Sequence, residues 1–233
     1  LHVIHGGPHT AFGDAFHYRW NVQAMAAQGY VVACVNYHGS SSFGYAFLDS
    51  ITHRWGALEL QDVEAATDWL LKKPWADKRG YMVAWMNGHV KPGRYAAYVC
   101  HAGCFDWQAM FSDDAYVWHA KELGAWYWDK PEVIAAQSPH AFAAHMQTPT
   151  LVIHGALDYR VPDAQGLAYY HTLKALKVDA RLLWFPDENH WILKPRNSRL
   201  WHEEFFGWLA AHDPGRQPAA KKPAPKRAVR PAR

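Results

Sequence analysis

Apolar runs and helix-like periods alternate along the chain. Short apolar runs predict strands at residues 2–5, 30–36, 95–101, 150–153 and 180–185. Between them, apolar positions recur with a period of 3.6 residues, which predicts helices over residues 16–28, 58–72, 81–87, 167–176 and 197–211. Strands that alternate with helices indicate a mostly parallel sheet with helices on both faces, so the predicted fold class is α/β.

One connection in this order is too short. The predicted helices 58–72 and 81–87 are separated at residues 75–79 by five residues, of which Lys78 and Arg79 are charged. In open α/β sheets, ligands bind at the carboxyl ends of central strands, and a strand is expected at this point of the order. We therefore predict that a central strand and the turn after it are absent, about nine to eleven residues in all.

Two segments in the second half of the chain contain an acid and, after it, a histidine that are candidates for catalysis. Asp158 lies in His-Gly-Ala-Leu-Asp-Tyr-Arg-Val-Pro, and His190 follows 32 positions later in Phe-Pro-Asp-Glu-Asn-His-Trp. In serine hydrolases of the α/β type, the acid and the base follow the nucleophile in this order. The histidine takes the proton of the serine, while the acid fixes the imidazole tautomer and stabilises the imidazolium. The alternative is that Asp158 only caps its turn and that His190 packs beside Trp191.

The nucleophile that should precede this pair is missing. Its usual setting is Gly-x-Ser-x-Gly on a sharp strand-to-helix turn, and the sequence contains no such pentapeptide. Ser40, Ser41 and Ser42 follow a predicted strand without the required turn, so we do not expect them to replace it.

Seven segments, taken together, resemble the catalytic domain of the prolyl oligopeptidase family of serine peptidases, and most of all its acylaminoacyl-peptidase and dipeptidyl-peptidase-like branch. They are His-Gly-Gly-Pro at 5–8, Asn-Tyr-His-Gly-Ser at 36–40, Gly-Tyr-Met at 80–82, His-Ala-Gly-Cys-Phe-Asp at 101–106, Ser-Pro at 138–139, the Asp158 segment, and Asn-His at 189–190. The resemblance extends from residue 1 to about residue 212. It implies an α/β-hydrolase fold in which Gly80 is the last glycine of the family's Gly-x-Ser-Tyr-Gly-Gly turn, with the serine and its strand lost.

The resemblance also implies roles for four further residues. Gly6 and Gly7 correspond to the loop whose N–H groups stabilise the oxyanion, although an ordinary tight turn is the alternative. Asn36 and Arg160 correspond to positions that hydrogen-bond the peptide carbonyls beside the scissile bond, although Arg160 could equally form a structural ion pair. The implied substrate is a peptide, and the implied partner is an N-terminal β-propeller domain that this chain lacks. No cofactor is implied, and sixteen histidines without a His-Glu-x-x-His motif give no reason to expect a metal site.

Composition separates the body of the chain from its end. From residue 216 onward there are seven Lys or Arg and no acid, and without them the formal net charge changes from +3 to −4. We predict an α/β-hydrolase domain over residues 1–213, truncated at its N-terminus, and a disordered basic Pro/Ala tail over residues 214–233. The tail is expected to be solvated, with weak non-specific contact to nucleic acid as the alternative. Without an apolar run of 18 residues no membrane span is expected, which leaves a soluble cytoplasmic or periplasmic protein.

Two classes of function remain open. The first is a serine peptidase for short peptides, whose serine is missing through a real deletion or an error in the recorded gene. The second is a catalytically dead hydrolase fold that binds peptides or partners. An esterase of the same fold is a weaker third alternative, because Asn36 and Arg160 suit peptide carbonyls.

Overall fold

A computed structural model describes residues 1–73, 84–213 and 215 of the 233-residue chain. The junction between Arg79 and Gly80 and nearly all of the predicted tail lie outside these residues. The strands of the described part are β1 His2–Val3, β2 Ala33–Cys34, β3 Tyr98–His101, β4 Thr150–Gly155 and β5 Ala180–Phe185. Its α-helices are α1 Val22–Ala26, α2 Tyr45–Asp49, α3 Ala57–Leu71, α4 Ala84–His89, α5 Trp107–Met110, α6 Tyr116–Leu123, α7 Pro131–Ala136, α8 Asp163–Ala175 and α9 Pro195–Ala211, with a 3-10 helix at Pro139–His145.

All strand pairs in the described residues are parallel. β1 pairs with β2, and β3, β4 and β5 follow one another in a second group. In the second group Tyr98 lies opposite Thr150, which lies opposite Ala180, so the three strands start level. Their carboxyl ends therefore open onto one edge of the sheet, and the loops after β4 and β5 are neighbours there.

The two strand groups are not hydrogen-bonded to each other within the described residues. They nevertheless share a core, since Val3 of β1 packs against the cluster that contains Val99 of β3. On the other side, Val35 packs against the cluster that contains Tyr98. The absence of a central strand stays a prediction, because residues 74–83 are outside the described part.

Helices cover both faces of the β3–β5 group. β4 is buried along its whole length, and its side chains alternate between the faces. Leu151 and Ile153 join a cluster that includes Phe205 of α9, whereas Val152 packs with Tyr169 of α8. The predicted parallel sheet between two helical layers is thus confirmed.

Some predicted elements are shorter than their patterns. The helix expected over residues 16–28 is limited to Val22–Ala26, because the Asn21 side chain accepts a hydrogen bond from the Ala24 N–H and caps the helix there. Phe16, which precedes this cap, is 62% exposed and is not part of the buried core. The strand expected over residues 30–36 is reduced to Ala33–Cys34.

None of the helices in the described part of the chain is long and apolar enough to span a lipid bilayer.

Candidate active site

Asp158 and His190 meet at the carboxyl edge of the sheet. Asp158 follows β4 and His190 follows β5, and the level start of these strands brings their loops together. The His190 Nδ1 atom lies 2.8 Å from Asp158 Oδ2. Asp158 is buried, while the His190 side chain is 25% exposed, so the acid is shielded and the imidazole reaches solvent.

The carboxylate of Asp158 is held on both oxygens. Its Oδ1 accepts hydrogen bonds from the backbone N–H groups of Arg160, at 3.0 Å, and Val161, at 2.9 Å. Burial acts to raise the pKa of Asp158, but the hydrogen bonds from His190 and Val161 outweigh it and leave the pKa below its ordinary value. Asp158 therefore stays ionised beside the imidazole, and it caps its turn and contacts His190 at once.

This contact fixes how His190 can act. An ionised carboxylate only accepts, so Nδ1 carries the hydrogen and Nε2 presents a lone pair when the ring is neutral. No described residue forms a hydrogen bond with Nε2. A partly exposed imidazole with a free Nε2 and a carboxylate behind Nδ1 is arranged to take a proton from a nucleophile.

Two residues that the sequence analysis did not single out hold the His190 loop in place. Glu188 is buried and accepts hydrogen bonds from the N–H groups of Leu193 and Lys194, which closes the loop around His190. At the end of β4, a Cβ on Gly155 would lie 2.5 Å from the carbonyl oxygens of Glu188 and Asn189. Only glycine allows this close approach of two backbones. The signal for Glu188 was its place in Asp-Glu-Asn-His, but nothing in that pattern indicated a buried carboxylate.

Gly6 and Gly7 lie in a turn that follows β1 after Ile4 and His5. Gly7 has a φ of +126°, a conformation that other residues rarely adopt, and Thr10 Oγ1 donates to the Gly6 carbonyl at 2.5 Å. A Cβ on Gly6 would meet nothing within 4 Å, so this side of the turn is open. The turn is fixed and accessible, and its oxyanion role stays a prediction.

The structure places Asn36 and Arg160 in different surroundings. The amide of Asn36 binds the backbone of Phe12 through both ends, with Oδ1 accepting at 2.7 Å and Nδ2 donating at 3.1 Å. One N–H of Asn36 is left over for a substrate. The Arg160 side chain is exposed and forms no ion pair with any residue that the structure describes. The described residues therefore give no support to the alternative that Arg160 forms a structural ion pair.

The first serine of the 40–42 cluster already has a histidine partner of its own. Ser40 is completely buried, and its Oγ lies 2.8 Å from His5 Nε2. A buried hydroxyl cannot reach a peptide, which agrees with the expectation that Ser40 is no replacement nucleophile.

A parallel sheet whose carboxyl edge carries an Asp–His pair in this order defines an α/β-hydrolase of the serine type. Residues 16–213 match the prolyl oligopeptidase family (Peptidase S9), and the chain belongs to that family of serine peptidases. The likeness noted from the seven segments is thereby confirmed.

The similar proteins agree with this assignment. Dipeptidyl-peptidase 5 of Porphyromonas gingivalis is 35% identical over 219 residues, which cover 88% of this chain and 32% of that protein. Dipeptidyl-peptidase 5 of Schizosaccharomyces pombe is 32% identical, over 89% of this chain and 32% of its own. Among solved structures, Pyrococcus horikoshii acylaminoacyl peptidase superposes with a TM-score of 0.78 at 26% identity, over 90% of this chain and 36% of that one. The chain spans about a third of the length of the relatives it matches.

Proposed function

We propose that this chain is the catalytic-domain portion of a serine peptidase that hydrolyses short peptides, with His190 as general base and Asp158 as its orienting acid. The observation that carries this proposal is the 2.8 Å contact between His190 Nδ1 and a buried Asp158 carboxylate. In this mechanism Nε2 of His190 takes the proton of a serine hydroxyl as it attacks the scissile carbonyl, and then returns it to the leaving amine. The carboxylate stabilises the imidazolium between these steps.

Substrate positioning is assigned to the loops around this pair. N–H groups of the Gly6–Gly7 turn stabilise the oxyanion. The exposed guanidinium of Arg160, which has no ion-pair partner among the described residues, binds a peptide carbonyl beside the scissile bond. Asn36 contributes mainly by holding the segment at Phe12, and its remaining N–H is available to the peptide. A β-propeller outside this chain would restrict access to short peptides.

The nucleophile is the part of the machinery that this sequence does not contain. The alignment with the Porphyromonas protein is 219 residues long. Only 88% of this 233-residue chain takes part in it, which is fewer residues than the alignment has positions. That stretch of the relative therefore includes residues without a counterpart here. This favours the loss of a short segment, and residues 75–79 are where the sequence pattern predicts that a strand is absent.

The second candidate is a dead hydrolase fold that binds peptides without cleaving them. It is favoured by the sequence itself, which has no Gly-x-Ser-x-Gly, and by the burial of Ser40. Sequencing the coding region across codons 78–81 separates the candidates. An in-frame segment that encodes Gly-x-Ser-Tyr-Gly supports the peptidase, whereas a confirmed junction of Arg79 with Gly80 supports the dead enzyme.

Activity is tested on a repaired chain that carries the missing strand and turn between Arg79 and Gly80. We expect it to release a fluorescent amine from short peptidyl amides, and the His190→Ala variant of the repaired chain to lose this activity. Substrates with a free and with an acylated N-terminus distinguish dipeptidyl-peptidase from acylaminoacyl-peptidase specificity. A repaired, folded chain whose hydrolysis survives His190→Ala would rule out the proposed general base.

A further inference from the structure

A small cavity lies behind the His190 loop, between that loop and α9. Its volume is about 10 Å³, and its walls include Arg19, Trp20, His101, Trp191, Ser198 and Trp201. A space of this size holds about one water-sized particle. It is separate from the Asp158–His190 contact, although Trp191 adjoins His190 in the chain.

One wall of the cavity is a histidine with a defined tautomer. The indole Nε1–H of Trp201 donates to His101 Nδ1 at 3.1 Å, so the hydrogen of the neutral His101 ring must be on Nε2. Burial, and then the nearby histidines 190 and 154, lower the pKa of His101 to about 3, which keeps the ring neutral at physiological pH. The Nε2 atom is shielded from solvent and has no hydrogen-bond partner among the described residues. His101 therefore presents an unused N–H donor.

A second unused donor comes with a positive charge. The guanidinium of Arg19 lies 3.9 Å from the ring centre of Trp20 and 5.2 Å from that of Trp191. Its Nε atom is also buried without a partner, and Arg19 forms no ion pair within residues 1–73 and 84–213. Burial lowers the pKa of Arg19, but arginine remains charged at neutral pH. The described residues thus leave a half-buried cation, whose Nε is shielded from solvent, without a counter-ion.

We propose that this cavity binds a single halide ion, chloride under physiological conditions, between the N–H groups of Arg19 and His101. A water molecule would accept both hydrogen bonds but would leave the half-buried charge of Arg19 without a counter-ion, whereas a halide would accept the same bonds and balance the charge. Sulfate, phosphate and carboxylates need more than the space of one water-sized particle. Binding links Arg19, beside Trp20, to His101 at the end of β3 and thereby steadies Trp191 and the loop of His190.

Bromide is the probe for the position of the ion. Crystals of the chain soaked in sodium bromide and measured at the bromine absorption edge should show an anomalous peak in contact with Arg19 Nε and His101 Nε2. In solution, replacing sodium gluconate by sodium chloride at constant ionic strength should raise the melting temperature, because gluconate is too large for the cavity.

Two variants assign the chloride dependence to this cavity. Arg19→Met removes the charge and His101→Phe removes the other donor, and each should abolish the rise in melting temperature. Arg199→Met is the matched control, because Arg199 is exposed on α9 and pairs with Glu203, so the rise should persist. If one variant does not fold, the other is compared with the unmodified chain, and if neither folds, the bromide peak and the unmodified chain's own chloride dependence decide.

A cavity that shows ordinary water and no anomalous peak would overturn the proposal. A bromide peak without chloride-dependent melting would mean an adventitious ion only, which also overturns it. A rise that persists in Arg19→Met would place the chloride site elsewhere.

Discussion

At the residue scale, the candidate site depends on one carboxylate that does two things. Asp158 uses Oδ1 to hold the N–H groups of Arg160 and Val161 and Oδ2 to accept from His190. The turn-capping and catalytic interpretations of Asp158 are therefore not exclusive. The cap occupies Oδ1 and leaves Oδ2 to the imidazole.

Replacement of Asp158 by Asn separates these two functions. The amide oxygen should stay with the two backbone N–H groups, which leaves the NH₂ group facing His190. The imidazole must then accept through Nδ1, the wrong tautomer for a general base. Proton NMR should show the loss of the low-field His190 Nδ1–H resonance. Asp163→Asn should keep it, since Asp163 accepts from Trp184 Nε1 and does not contact the imidazole. A low-field resonance that survives in Asp158→Asn would contradict the assignment.

A buried histidine of β1 gives a pH prediction. His2 is 3% exposed, its Nε2 lies 3.1 Å from Thr67 Oγ1, and burial, then the chain's amino terminus and Arg94, lower its pKa to about 4. The unfolded chain binds this proton near pH 6.5 and the folded chain only near pH 4, so His2 destabilises the fold as pH falls between these values, by up to ~3 kcal/mol. Urea unfolding of His2→Gln should show a weaker loss of stability between pH 6.5 and 4. The exposed control His17→Gln should follow the unmodified chain.

At the element scale, the bounds of an element were predicted best where they follow from the apolar pattern within that element. Residues 180–185 form the expected strand, and α3 at Ala57–Leu71 differs by one residue at each end from the predicted helix. The helix predicted over residues 16–28 was wrong in length because a cap at Asn21 overrides the apolar period before it. The proximity of Asp158 to His190 could be anticipated from their places after two parallel strands. The occupation of the Asn36 amide by Phe12 could not, because it depends on how two distant loops pack.

Gly155 tests how β4 and the His190 loop determine the site together. An added methyl group would collide with the carbonyl oxygens of Glu188 and Asn189, and these are backbone atoms that cannot move aside alone. We expect Gly155→Ala to cost about 1–3 kcal/mol of unfolding free energy and to lengthen the Asp158–His190 contact. Gly207→Ala is the control, since its Cβ would meet nothing within 4 Å on α9 and should stabilise the helix by about 0.5–1 kcal/mol. Denaturant unfolding of both variants provides the comparison. If Gly155→Ala were as stable as the unmodified chain, the close approach of β4 to the His190 loop would not require glycine.

At the scale of the whole molecule, the chain combines an Asp–His pair at the carboxyl edge of its sheet, proposed as the acid and base of a serine-peptidase site, with a sequence that contains no Gly-x-Ser-x-Gly. The loops after β4 and β5 bring Asp158 and His190 into contact at the carboxyl edge of the sheet. Without its serine and the N–H group that follows it, a triad enzyme retains only a small residual rate, roughly 10³ to 10⁴ over water in well-studied proteases. The chain as it stands should therefore be inert toward peptide amides.

Labelling by a serine-directed fluorophosphonate tests the central claim most directly. The unmodified chain should not label, the chain repaired with Gly-x-Ser-Tyr-Gly and its strand between Arg79 and Gly80 should label, and His190→Ala in the repaired chain should abolish labelling. The exposed His17→Ala in the repaired chain is the control and should label normally. Labelling of the unmodified chain at Ser40, Ser41 or Ser42 would contradict the account, because the nucleophile would then lie in the serine cluster after Gly39.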